Sequence, residues 1–341
     1  MNNTRVTLKD VANECGYTAN TVSRAMRDDP HLPEETRKLI RSAAERLGYI
    51  PNKMASSLRS GKSHVVAVIV NDLHNQHFCR MLGKMDAELQ KAGYCLLILC
   101  MQLNEELAQQ LINTAISLSV DGILYFPHMW SQTQIGSMVN NRMPFVLLDR
   151  WVRDITADCV RCDDENGGYI AGKHLAKLGH RRFLYLSGLD LSSSQIDRLA
   201  GFKRAMAEFG IPDENIRIVP GEQAEDALSK GSIADLLYPL DYTAVVSFRD
   251  EIAYPAVSAL RERGVSVPED ISVISFDNLS GSNPNLQPLT SIYAAESDVA
   301  SEGVKALLRR IDDPQMPVQT LILPTRIYNE NATTGPVKAW S

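Results

Sequence analysis

Residues 15–26 read CGYTANTVSRAM, small polar side chains and one arginine threaded between apolar anchors. Just before them Leu8, Val11, Ala12 and Cys15 fall at i, i+3, i+4 and i+7, one stripe of a helix. Thr7 with Asp10 three residues on makes a capping-box pattern at its start, and Gly16 supplies a stop that permits a tight turn. A second helix restarts near Thr18, with Val22 and Met26 facing inward and Asn20 and Arg24 stacked at i, i+4 on another face. A third stripe, Leu39, Ile40, Ala43 and Leu47, ends at Gly48. Three short helices with a glycine turn between the first two predict a helix-turn-helix unit. The spacing alone equally allows a plain amphipathic hairpin with a solvated face.

Charge separates this stretch from the rest of the chain. Residues 1–63 hold eleven lysines and arginines against seven aspartates and glutamates, a net +4, within a chain of net charge −6. The remainder is therefore near −10, and a small basic head on an acidic body suggests a polyanionic partner for the head only. With 341 residues and 44% hydrophobic content the chain can bury a large core. Its apolar runs, such as Val65–Val70 and Cys95–Met101, fall far short of the roughly 20 residues a membrane span needs. With no signal-peptide pattern at the start, the expectation is a cytoplasmic protein with no membrane partner.

From His64 the texture changes to strand, loop and helix in alternation. Val65–Val70, Leu96–Cys100, Gly122–Phe126 and Phe145–Asp149 are near-continuous apolar runs, as parallel strands covered on both faces require. Arg182–Ser187, Ile216–Val219, Ala244–Ser247 and Ile271–Phe276 form a second set, separated by helices such as Arg198–Phe209 and Glu251–Gly264. Two tandem α/β units predict two lobes with doubly wound parallel sheets and a cleft at the carboxyl ends of their strands. Enzyme readings gain little: no GxSxG elbow, P-loop, HExxH or strand-following GxGxxG occurs, and Gly167-Gly168 reads as close helix packing. No cofactor or metal is expected. The six cysteines sit mostly in apolar stretches as reduced thiols, and nothing completes Cys159-x-x-Cys162 as a metal or redox site.

The segments VTLKDVANECGYTANTVSRAM (6–26) and ETRKLIRSAAERLGYIPNKMASSL (35–58) resemble the DNA-binding head and hinge of the LacI/GalR, lactose-repressor-like, family of bacterial transcription regulators. DDENGGYIAGKHLAKLGHRRFLYLSG, RLAGFKRAM, GVSVPEDISVISFDN and PLTSI follow in the order that family shows. The resemblance implies an all-α helix-turn-helix head (1–50), a hinge helix and linker (51–63), and a periplasmic-binding-protein-like effector and dimerisation domain (64–341). Within that domain the N-lobe would span about 64–162 with a crossover around 293–322, and the C-lobe about 163–292 and 323–341. It further implies a homodimer on a palindromic operator in double-stranded DNA, controlled by a small-molecule effector, a sugar or sugar derivative. A solute-binding protein of a transport system is the rival reading, since the two-lobed body alone would suit it.

Residue by residue, Ala19, Asn20 and Arg24 occupy the family's base-reading positions. Arg24 can span guanine O6 and N7, Asn20 can bridge adenine, and Ala19 can meet a thymine methyl. Thr7, Lys9, Thr18, Thr21 and Ser23 are candidates for contacts that set register on the duplex. In the hinge, Asn52, Lys53, Met54, Ala55 and Leu58 match a segment that in the family enters the minor groove, with Leu58 as the wedge. For the effector the matching positions are His77, Phe78, Asp149, Arg198 and Asp277, then Asp163 and Ser194. Arg249, Gln223 and Ala294 depart from the family pattern. Arg249 and Arg150 beside Arg198 raise the expectation of an acidic effector, such as a uronate or a sugar phosphate. The tail after Tyr328 carries no leucine heptad, so a dimer rather than a tetramer is expected.

Overall fold

The computed structural model describes residues 6–50, 61–189, 192–281, 283–294 and 296–337. It divides into two compact units, Met1–Ser63 and His64–Ser341.

The head contains α1 (Leu8–Cys15), α2 (Ala19–Ala25) and α3 (Glu34–Leu47). The capping box at Thr7 is formed: the Thr7 N–H donates to the Asp10 carboxylate at 2.8 Å, and the Asp10 N–H to the Thr7 hydroxyl at 3.4 Å. Gly16 ends α1 in the left-handed region at φ 73°, a conformation glycine takes without steric cost. The Thr18 hydroxyl caps α2 by accepting the Thr21 N–H at 3.1 Å. Val11, Ala12, Val22, Ala25, Ile40, Ala43 and Ala44 make the core, with Met26 and Leu47 packed partly against it. The third stripe turns slightly from the expected one: Leu39 is 51% exposed, and Ala44 takes its place inside.

The body carries twelve strands among its described residues, in two six-stranded sheets. β1 (Val65–Val70), β2 (Cys95–Cys100), β3 (Gly122–Tyr125), β4 (Phe145–Leu148), β5 (Cys159–Cys162) and β11 (Thr320–Leu323) form the first, ordered β11-β5-β4-β3-β1-β2. β6 (Phe183–Leu186), β7 (Ile216–Val219), β8 (Ala244–Ser247), β9 (Ser272–Phe276), β10 (Thr290–Ala294) and β12 (Thr325–Tyr328) form the second, ordered β12-β10-β9-β8-β6-β7. All pairings are parallel except β10 with β12. Helices α4 (Gln76–Lys91), α5 (Glu105–Ser117) and α6 (Gln132–Asn140) serve the first lobe. The second has α7 (Asp164–Lys177), α8 (Ser193–Glu208), α9 (Gly221–Lys230), α10 (Ile233–Leu236) and α11 (Asp250–Glu262). α12 (Glu296–Asp312) returns to the first, where Val299, Ala300, Val304 and Leu307 join the core of β1, β3, β4 and α4.

Two strands escape the sequence reading, and one apolar run divides near the lobe boundary expected from the resemblance. Cys159–Cys162 is a buried strand beside β4 rather than the loose end of a metal site, and burial pushes the Cys159 thiol up to about 12. Thr290–Ala294 is an interior strand of the second sheet, between β9 and β12. The apolar run Thr320–Tyr328 is two strands in different sheets, broken at Pro324, which has no N–H for a continued ladder. The chain therefore passes between lobes three times: after β5, after β10 and after β11.

Each sheet follows the order 2-1-3-4-5 within its lobe, so the strand order reverses beside β1 and beside β6, where open α/β sheets bind ligands. One packing contact fixes what lies there. α7 and α8 cross with backbones touching: a Cβ on Gly168 would stand 1.9 Å from the Arg198 carbonyl oxygen, and one on Gly201 1.8 Å from that of Glu165.

Candidate nucleic-acid interface and ligand cleft

On the head, Thr7, Lys9, Thr18, Ala19 and Asn20 are exposed, and Thr21 and Arg24 are half-buried. Thr18 and Thr21 share a hydrogen bond between hydroxyls at 2.9 Å, so both side chains are engaged in starting α2. Arg24 Nε donates to Asp29 Oδ2 at 2.7 Å. Ser23 is only 7% exposed and lies on the inward side of α2, because so short a helix is gripped by both α1 and α3. Its carbonyl accepts from Arg27 Nε at 3.1 Å. The hinge candidates Asn52, Lys53, Met54, Ala55 and Leu58 lie outside the described residues.

In the body, a small cleft of about 90 Å³ opens where the strands of both lobes end. The first lobe contributes Asn71, Asp72, Asn75 and Phe78 after β1, Leu103 after β2, His128 after β3 and Arg150 after β4. Leu189, Ser192, Glu225, Phe248 and Arg249 line it from the second.

Beneath this lining lies a layer of paired charges. His77 Nε2 stands 3.4 Å from Asp149 Oδ2, both side chains buried. Burial alone would raise the Asp149 carboxyl, but His77, Arg150 and Arg198 hold it down to about 2. Asp149 takes φ 67°, and its carbonyl accepts from the Ser194 hydroxyl at 3.4 Å, a contact from one lobe to the other. Arg198 donates through Nε to Asp164 at 2.8 Å and through Nη1 to the Phe248 carbonyl at 2.7 Å, with Nη2 3.8 Å from Asp277. Its guanidinium lies over the Phe248 and Phe276 rings, 4.8 and 4.3 Å from their centres. The crossing of α7 and α8 at Gly168 and Gly201 is what brings Arg198 to Asp164. Burial pushes the Asp164 carboxyl up to about 6 even with Arg198 against it.

Of the sequence candidates, Phe78, Arg150 and Arg249 reach the lining, and His77, Asp149, Ser194, Arg198 and Asp277 form the layer below. Phe78 is mostly core, edge-on to Phe126 at 5.0 Å. Asp163 caps α7, its carboxylate accepting the Asn166 N–H at 3.0 Å, and is absent from the lining. Gln223 is exposed, because α9 buries the face carrying Gly221, Ala224 and Ala227, and Glu225 lines the cleft instead. The side chain of Ala294 lies outside the described residues. Two of the three arginines behind the expectation of an acidic effector are already paired with carboxylates. Arg249 is held by Glu225 at 2.5 and 2.8 Å and by Glu251 at 3.0 Å, and Arg198 by Asp164 and Asp277.

Four lining residues carry buried polar atoms that no protein group satisfies among the described residues: Asn71 Nδ2 and Oδ1, His128 Nδ1 and Nε2, Arg150 Nε and Ser192 Oγ. Burial and the Arg150 charge lower the His128 imidazole to about 4, so it is neutral near pH 7, with one donor and one acceptor nitrogen. None of Asn71, His128 and Ser192 was singled out from sequence. The available signal is position: Asn71 directly follows β1, and His128 and Ser192 lie in the loops after β3 and β6.

Residues 7–52 match the model of the bacterial regulatory proteins of the lacI family, and residues 173–331 match the periplasmic binding protein-like domain. The chain thus joins a LacI-family DNA-binding head to a periplasmic-binding-protein-like domain. Its relatives include the HTH-type transcriptional regulator GalR of Escherichia coli (strain K12), 28% identical over 335 residues that cover 98% of this chain and 97% of that one. The HTH-type transcriptional repressor PurR of Actinobacillus pleuropneumoniae serotype 3 (strain JL03) is 29% identical over 318 residues, 92% of this chain and 94% of that one. A LacI family transcriptional regulator from Enterococcus faecium, solved with bound ribose, superposes with a TM-score of 0.70 at 26% identity, covering 80% of this chain and all of that one. The lac repressor dimer bound to operator and the anti-inducer ONPF shares the fold, with a TM-score of 0.82 at 24% identity over 97% of this chain and all of that one. With a LacI-family head and relatives that are transcriptional regulators along nearly their whole length, the chain is a DNA-binding transcriptional regulator and not an enzyme. Among its described residues no helix is long and apolar enough to cross a membrane.

Proposed function

We propose that the protein binds a palindromic operator as a homodimer in the cytoplasm and acts as a repressor whose grip on DNA is set by a neutral, polyhydroxylated ligand, a carbohydrate or close derivative. The observation that carries the ligand class is the quartet of unsatisfied lining groups, Asn71, His128, Arg150 and Ser192. A buried polar group left unpaired costs about 1–3 kcal/mol, so the cleft favours a ligand that supplies hydroxyls, each both donor and acceptor. The edge of Phe78 with Leu103, Leu189 and Phe248 offers apolar surface for a ring face. The commitment of Arg198 and Arg249 to carboxylates supports a neutral ligand over an acidic one. In the layer below, His77 with Asp149 orders the first wall of the cleft and Arg198 with Asp277 the second, and the Ser194 hydroxyl on the Asp149 carbonyl ties one to the other.

On the DNA side, Arg24 and Asn20 read bases and Ala19 offers an apolar face, while Thr7, Lys9, Thr18 and Thr21 set the register. Two heads of a two-fold dimer read two half-sites. A ligand moves DNA affinity only by its differential affinity for the two lobe arrangements, and DNA in return alters ligand affinity by the same factor. The reading is tested by thermal-shift screening of the full chain against neutral sugars and sugar acids, followed by anisotropy titration of a duplex selected from a random-sequence pool. A neutral sugar that raises the melting temperature and changes duplex affinity is the expected result. Stabilisation by sugar acids alone would overturn the ligand class.

A further inference from the structure

α2 ends in a left-handed turn that folds the chain back over its own recognition face. Asp28 takes φ 57°; its N–H donates to the Ala25 carbonyl at 3.2 Å, and the Asp29 N–H to the Arg24 carbonyl at 3.2 Å. These are the paired bonds of a Schellman ending. The Asp28 carboxylate is tied to Arg37, at 3.4 Å, and to Arg41, both on α3, so the turn is anchored to the third helix. Asp29 is thereby returned to Arg24. Its Oδ1 accepts the His31 N–H at 3.0 Å, and its Oδ2 accepts Arg24 Nε at 2.7 Å. One carboxylate oxygen holds the turn and the other holds the arginine.

A guanidinium presents its donors in a rigid planar fork. Anchoring Nε leaves Nη1 and Nη2 of Arg24 without a partner among the described residues, and such a pair can span O6 and N7 of a guanine. A partly exposed ion pair adds little to folding, whereas an acid beside a polyanion lowers affinity for every sequence alike. The consequence of the pair therefore falls on discrimination between sequences. We propose that Asp29 is a positioning residue for operator readout: it holds Arg24 by Nε so that the two terminal nitrogens meet a guanine edge in the major groove. This rests on the reading of Arg24 as a base reader given above.

The test uses the full chain, the duplex it selects from a random-sequence pool, single-base variants of that duplex and a random duplex. Anisotropy titrations compare wild type, Asp29→Asn, Arg24→Ala and the double variant. Asn retains an amide oxygen for the His31 N–H, and thermal melting checks the fold. Asp29→Glu, which keeps the charge but moves it by one methylene, is the second variant. Arg24→Ala should lose discrimination at one G·C pair per half-site. Asp29→Asn should lose about tenfold at the same pair, with random-duplex affinity unchanged or higher, and the double variant should lose no more than Arg24→Ala. Asp29→Glu should also lose discrimination, without the gain in random binding. If Arg24→Ala relaxes that pair while Asp29→Asn strengthens all duplexes equally, Asp29 acts only as a charge and the proposal falls. If Arg24→Ala relaxes no pair, the base-reader assignment itself falls, and the proposal with it.

Discussion

Arg249 and Glu225 form a two-pronged ion pair in the wall of the cleft, with Nη1 and Nη2 donating to the two carboxylate oxygens at 2.5 and 2.8 Å. Glu251 takes the remaining Nε at 3.0 Å and also accepts the Gln76 N–H across the cleft at 3.2 Å. The arginine that stands out in the sequence as a lure for an acidic ligand is therefore neutralised from within. Glu225→Gln should uncover part of its charge and shift preference toward a sugar acid over the matching neutral sugar by about tenfold, as about 1.4 kcal/mol gives. Calorimetric titration with both compounds measures this, and an unchanged ratio would show that Arg249 does not sense the ligand.

Asn71 is 1% exposed and follows β1 with both amide heteroatoms unsatisfied among the described residues. Asn71→Leu removes those atoms at nearly constant volume. The unliganded protein should melt at the same temperature or higher, by up to the roughly 1–3 kcal/mol an unpaired buried group costs. The melting shift produced by a bound sugar should fall sharply. A variant that melts lower yet responds fully to sugar would contradict the role given to Asn71.

Asp250 opens α11 and accepts from the Leu279 N–H at 2.8 Å and the Ser291 hydroxyl at 3.0 Å. Burial, and then the Asp277 charge, push its carboxyl up to about 7. The unfolded group titrates near the ordinary carboxylate value, so between about pH 4 and pH 7 the folded chain holds a proton that the unfolded chain has released. Its contribution to stability is present at low pH and lost as pH rises through about 7. Asp250→Asn lacks this loss. Melting curves from pH 5 to pH 8 should show wild type falling relative to the variant by roughly 2 kcal/mol, and parallel curves would contradict the assignment.

Two helical glycines, one in the backbone crossing of α7 and α8 and one in open space, should give opposite outcomes. Gly201→Ala drives a Cβ into the Glu165 carbonyl and should cost about 1–3 kcal/mol or more while loosening Arg198 from Asp164. Gly83, in α4, has nothing within 4 Å of its would-be Cβ. Gly83→Ala should gain about 0.5–1 kcal/mol from helix propensity alone. Denaturant midpoints at constant slope decide between them.

Arg24→Ala should cost about 1–3 kcal/mol on the selected duplex and much less on random DNA, with the salt dependence nearly unchanged. Equal losses on both would make Arg24 a phosphate contact rather than a reader.

The amino-acid sequence by itself determined the local elements. The Thr7 and Asp10 box, the Gly16 and Gly48 stops and the apolar stripes of α1 to α3 are short-range signals, decided within a few residues of chain. The strands β1, β3, β4, β6, β8 and β9 announced themselves as apolar runs because they are buried on both faces. The half-exposed β11 and the four-residue β5 gave weaker periodicity. Tertiary structure alone decided which residues meet. Nothing local shows that Arg249 would find Glu225 twenty-four residues before it, or that Arg198 would be spent on Asp164. Nor does it show that Thr320–Tyr328 would be shared between two sheets. Charge pairing, the splitting of a strand and the gathering of Asn71, His128, Arg150 and Ser192 around one cleft depend on strand order and on helix crossings. Those are set by packing across the whole chain, and no window of sequence contains them.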